Sequence, residues 1–131
     1  MDDLKFVMTW HDAADPFCQL SCAVRTARVS AESVPFYVMD NRVRALSMLL
    51  SQFSRHAVRD FSWSNAPARR EEERPDFTIS FSRRDASGRI RCEVILRVDD
   101  EPGHICAFYA DALEDAQLDR IARQMDGLDL Y

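Results

Sequence analysis

The spacing of apolar residues predicts an α+β fold: a two-layer sandwich in which two helices cover one face of a mainly antiparallel sheet. Three observations carry this. From Phe77 to Val98 apolar residues recur at every second position on two arms, the period of a half-buried strand. The arms are Phe77, Ile79, Phe81 and then Ile90, Cys92, Val94, Leu96, Val98, joined by Asp85-Ala-Ser-Gly88, where Gly88 can take positive φ. Elsewhere two stretches switch to helical spacing. Finally, strand-like stretches follow one another through short connections, which favours antiparallel neighbours.

Taken in order, Leu4, Phe6, Met8 and Trp10 alternate with Lys5, Val7 and Thr9, a first strand with the first set facing inward. His11 to Pro16 is a polar turn. Cys18, Leu20, Cys22 and Val24 mark a second strand running as far as Val29, and Ser30-Ala-Glu32 is a tight connection. Val34 to Met39 is a third strand, held to an edge or a strand start by Pro35. Asp40 is placed to cap a helix of about four turns. Its apolar arc is Val43, Leu46, Leu49, Leu50, Phe53 and Ala57, with Arg44, Met48, Ser51 and Arg55 opposite. Arg59 to Ser64 is a short strand, and Asn65 to Pro75 is the clearest loop.

In the central hairpin, closing Arg84 against Arg89 pairs Phe81 with Cys92, Ile79 with Val94 and Phe77 with Leu96. A slip of one residue would turn every apolar side chain to the other face. After a connection at Asp99 to Gly103, His104 to Ala110 is a strand that sets Cys106 opposite Leu96 and Phe108 opposite Val94. Asp111 and Glu114 have the spacing of a capping box, and Leu118, Ile121, Ala122, Met125 and Leu128 form the stripe of a second helix. The open sheet face then shows Thr78, Ser80, Ser82, Arg91, Glu93, Ile95, Arg97, Ala107 and Tyr109.

A chain of 131 residues fits one domain, 1–131. No apolar run reaches the length of about 18 residues needed to span a membrane, and no signal-peptide pattern opens the chain. The expectation is a cytoplasmic protein whose 4 cysteines stay reduced. The net charge is −5 but uneven. Residues 41–70 hold six arginines against Asp60, whereas residues 99–131 hold nine acids against Arg120 and Arg123. The acidic last third is either a solubilising surface or a field that steers a basic partner.

No chemistry stands out. Cys18 and Cys22 lack the spacing of a zinc knuckle and have no second pair, so the four cysteines are read as structural, with no metal and no disulfide. His104 and Cys106 share a strand face, but the register buries both, and a thiol among apolar groups is inert. Arginines from Arg42 to Arg70 with Phe61 and Trp63 could stack on single-stranded nucleic acid. The aromatics alternate like core residues, however, and the whole chain is acidic, so no nucleic-acid role is expected. The 3 glycines form no phosphate loop, and no cofactor is expected.

Several stretches together resemble the small bacterial immunity proteins encoded beside polymorphic toxins, the WapI-associated type included. They are Phe36-Tyr-Val-Met-Asp40 with its helix to Phe53, Phe77-Thr-Ile-Ser-Phe81, Ser87-Gly-Arg-Ile-Arg-Cys-Glu-Val94 and Phe108-Tyr-Ala-Asp111 with Leu118 to Ala122. The resemblance covers about two thirds of the chain, in element order and in the Asp85 to Ile90 turn, and leaves the first forty residues unmatched. It implies a protein that neutralises a toxin by binding it, without catalysis, and transfers no site residue. Beside it stand two other readings, an acidic secretion chaperone and a small ligand-binding or enzymatic sandwich. The expected partner surface is Ile95, Arg97 and Tyr109 beside Asp99, Asp100 and Glu101: apolar and arginine anchors with acids at the rim. The alternative is that Ile95 and Tyr109 are scattered surface apolars.

Overall fold

The computed structural model describes residues 3–11, 14, 16–65, 75–83, 89–101 and 104–128. Eight strands and two helices follow in the order β1 (Asp3–His11), β2 (Phe17–Arg25), β3 (Ser30–Glu32), β4 (Phe36–Met39), α1 (Asp40–Ser54), β5 (Asp60–Ser64), β6 (Phe77–Arg83), β7 (Ile90–Arg97), β8 (Ile105–Leu113) and α2 (Asp115–Asp126). Every strand pair is antiparallel. The fold is the expected α+β sandwich, with its strands divided between two sheets. One has the order β1-β2-β3 with β4 also on β2, and the other has the order β5-β6-β7-β8. Hydrogen bonds join them: Val34 N–H donates to the Arg97 carbonyl at 2.9 Å, and Asn65 bridges Tyr37 and Phe77, donating to the Tyr37 carbonyl and accepting from the Phe77 N–H.

One apolar cluster takes in both sheets and both helices. Phe77 stacks on Phe36 at 5.3 Å and meets Phe6 edge-on, so its ring joins the two sheets. Phe53 of α1 packs on Phe61 and Phe81, while Leu118, Ile121 and Met125 of α2 complete the core. Arg83 ties β6 to both helices. Its guanidinium donates to the Phe53 carbonyl at the end of α1 (2.9 Å) and lies 4.0 Å from Asp115 at the start of α2, a cation and an anion each set where the helix dipole favours them. Among the described residues no helix is long and apolar enough to cross a membrane.

The hairpin register is as expected: Phe77 opposite Leu96, Ile79 opposite Val94, Phe81 opposite Cys92, then Leu96 opposite Cys106 and Val94 opposite Phe108. The Asp85 to Gly88 turn and residues 66–74 of the expected long loop lie outside the described residues.

Five local expectations need correction. Ser30 to Glu32 is a strand, not a connection, because Ser33-Val34-Pro35 interrupts one longer edge strand. Ser33 bonds Cys22 with both its N–H and its hydroxyl, while Val34 turns away to β7. Asp40 is the first helical residue and Met39, still extended in backbone, is the cap, while the Asp40 N–H donates to the Pro16 carbonyl at 2.8 Å. Helix α1 stops at Ser54, leaving Ala57 exposed. A bulge in β8, where Ile90 pairs Leu113 but Cys92 pairs Ala110, carries the strand past Asp111. The helix cap therefore moves to Glu114, whose N–H donates to Gln117 Oε1 at 2.9 Å. Lastly, a bulge between Met8 and Trp10 reverses the parity of β1, so Trp10 points outward and is 41% exposed.

Candidate protein-binding surface

The outer face of β7 and β8 carries the residues expected to bind a partner. Inward positions Cys92, Val94 and Leu96 are buried, so Glu93, Ile95 and Arg97 point out. On β8 the outward set is Ile105, Ala107 and Tyr109. Ile95 is half-buried between Thr78 and Ala107. Tyr109 stands opposite Glu93 with 62% of its surface exposed, and Ile105 (39%) lies opposite Arg97. The result is an apolar strip of Ile95, Ile105, Ala107 and Tyr109. Ile105 was missed in the sequence although it shares the parity of Ala107 and Tyr109.

At one end of the strip sits the acidic turn. Asp99 organises it: Oδ1 accepts the Glu101 N–H at 2.9 Å and Oδ2 lies 2.6 Å from His104 Nδ1. The His104 bond is the main reason that the Asp99 carboxyl is held below the usual carboxylate range. Asp100 and Glu101 are exposed. The expectation that His104 is buried fails: its side chain is 60% exposed, because the turn carries it outside the core. Arg97 is less free than the other anchors. Its Nε is 2.8 Å from Asp76 Oδ1. The structure thus puts Ile95, Arg97 and Tyr109 on the outer face of the β7–β8 pair, with the three acids in the turn at its end and Arg97 held by Asp76.

The remaining candidate chemistry falls out differently. All four cysteines are free; Cys18, Cys22 and Cys92 are buried and Cys106 half-buried. Burial pushes the thiols of Cys18 and Cys22 up and takes Cys92 to about 12, so all three are protonated at neutral pH and poor nucleophiles. Among the described residues no three His, Cys, Asp or Glu side chains come together as a metal site. Trp63 is buried, with its indole N–H on the Arg42 carbonyl, and half-buried Phe61 packs on Phe53 and Phe81.

A second apolar surface went unread in the sequence. On the outer face of the first sheet Trp10, Phe17, Tyr37 and Met39 are exposed around Gln19, with Trp10 and Tyr37 its cross-strand neighbours. Phe17, Tyr37 and Met39 have the opposite parity to the core residues Cys18, Phe36 and Val38, which was the available signal. A shallow depression of about 410 Å³ also lies over β5 to β7, lined by Asp60, Ser62, Ser80, Ser82, Arg91 and Glu93 among others.

No protein-family model, curated protein or solved structure matches the chain.

Proposed function

We propose that this chain is a non-catalytic protein-binding module, a toxin-neutralising immunity protein whose partner is a basic toxin domain. The observation that carries the reading is Tyr109, exposed in the middle of an apolar strip with an acidic turn at its end. An exposed aromatic beside aliphatic neighbours has the composition of an interface anchor, and acids at the rim attract a cationic partner. Three of the four thiols are buried and protonated and so are poor nucleophiles. The test is to co-express the chain with the product of the gene adjoining its own and to measure growth, and then the affinity of the purified pair. Tyr109→Ala should fold normally and weaken binding by about 2 kcal/mol, near thirty-fold. Full affinity in that variant would move the interface away from this face. A ligand-binding sandwich draws support from the depression over β5 to β7, which Phe61 and Phe81 line together with the polar side chains; its test is whether small anions shift the amide resonances of Ser62, Ser80 and Arg91.

A further inference from the structure

The two sheets have four outer edges, and on three of them a side chain bonds an edge backbone group. The Phe6 N–H of β1 donates to Gln124 Oε1 (3.2 Å), the Tyr37 carbonyl of β4 accepts from Asn65 Nδ2 (3.3 Å), and the Ser64 carbonyl of β5 accepts from Arg42 (2.7 Å). The fourth edge is β8. Val98 N–H donates to the His104 carbonyl at 3.1 Å, so pairs of that parity, Leu96–Cys106 and Val94–Phe108, exchange the ladder bonds. Ile105, Ala107 and Tyr109 therefore direct their N–H and C=O groups to the open side, and among the described residues nothing bonds them there. From Ile105 to Ala110 this edge holds no charge and no proline, and its bulge comes only afterwards. Protein edges are commonly blunted by those devices, so this one is open to another strand.

We infer that β8 receives an extended segment of a different protein as an added strand, apolar at alternate positions and flanked by basic residues. The inference rests on the protein-binding reading above and names its mode. The backbone row selects an extended chain, the strip of Ile105, Ala107 and Tyr109 selects apolar side chains, and charge selects the partner. Acids bracket the edge: Asp99, Asp100 and Glu101 before it, Asp111, Glu114 and Asp115 beyond. Several nearby cations are already engaged, Arg97 with Asp76, Arg91 with Asp111 and Arg83 near Asp115, while His104 holds Asp99. A second copy added antiparallel would bring each acidic turn against the other copy's Asp111 to Asp115 end, and a parallel copy would set like against like. Both arrangements repel, whereas a lysine-flanked strand is attracted at both ends.

The probe is a synthetic peptide in which valine and threonine alternate between paired lysines, with a glutamate-flanked version as control. Binding followed by fluorescence anisotropy should be seen for the first and not the second. It should slow hydrogen exchange at the amides of Ile105, Ala107 and Tyr109. Ala107→Pro removes an outward donor and no ladder bond, so it should fold and weaken the peptide about ten-fold or more. Should that variant fail to fold, peptides N-methylated on alternate residues test the wild-type chain: one methylation pattern should bind and the other should not. Equal binding of both flanked peptides, no exchange protection on β8, or a dimer of the free chain with those amides protected would each overturn the inference. A toxin bound tightly by Ala107→Pro but not by Tyr109→Ala would leave the module standing and remove strand addition. Peptide captured at β8 without any affinity for the adjoining gene's product would do the reverse.

Discussion

His56 has a φ of 61°, and it is the only non-glycine among the described residues with a positive value. It sits just past α1, where its N–H reaches the Phe53 carbonyl and the Ala57 N–H reaches Gln52. That six-to-one bond with an inner five-to-two bond closes the helix in the way usually assigned to glycine. A side chain in the left-handed region costs about 1–2 kcal/mol, partly offset by the entropy glycine loses. His56→Gly should therefore raise stability by about 1 kcal/mol in chemical denaturation. The thiols give a second measurement. Alkylation of the native protein should reach half-buried Cys106 well before Cys18, Cys22 and Cys92, whose burial disfavours the thiolate, and denaturant should release all four. Asp99 supplies a pH dependence. Its folded carboxyl is depressed, so the order it gives the acidic turn is present above the ordinary carboxylate range and is lost as pH falls through the lowered folded value. A carboxyl titration by NMR should place Asp99 below its usual 3.8, and His104→Ala should move it back toward that value.

Helix α1 shows what periodicity can settle and where it stops. The arc Val43, Leu46, Leu50 and Phe53 is buried as the spacing requires, and Met48 and Arg55 on the far side are exposed. Leu50→Ala should cost about 2–5 kcal/mol, since no part of Leu50 meets solvent, and Arg55→Ala less than about 0.5 kcal/mol. Equal losses on denaturation would mean that the helix packs by another face. The strand registers of β6, β7 and β8 were legible for a similar reason: apolar pairs on both arms allow one alignment only. Two of the misread elements share a cause. Bulges at Met8/Trp10 and Ile90/Cys92 each shift parity by one residue without any mark in composition, which hid Trp10 as a surface residue and delayed the cap of α2. The interruption at Ser33 depends on bonds to Cys22 and Arg97, residues that adjoin it only in the folded chain. Of the binding surface, Ile95, Tyr109 and the acidic turn could be read from alternation. The engagement of Arg97 by Asp76 and the open edge of β8 could not, because both are relations between elements.

Across the whole molecule the net charge of −5 is unevenly spread, with nine acids against Arg120 and Arg123 in residues 99–131. Asp99, Asp100 and Glu101 are exposed at one end of β8, and Asp111, Glu114 and Asp115 are exposed at the other. Charges at the rim of an interface act over about a Debye length, near 8–10 Å in physiological salt, and they affect encounter more than the final contact. The apolar strip acts the other way: Tyr109 is felt only once water has been expelled from around it, so its loss appears in the dissociation rate. The two contributions therefore separate in kinetics. Reversing Asp100 and Glu101 to lysine leaves the Asp99–His104 contact and the ladder of β8 in place. Association with a basic partner should then slow by about ten-fold or more at low salt, with a flattened dependence on ionic strength and little change in dissociation. Stopped-flow mixing across a salt series measures this directly. An unchanged association rate would show that the acidic rim lies outside the encounter surface and would leave the outer face of the first sheet, with Trp10 and Tyr37, as the place where a partner first meets this protein.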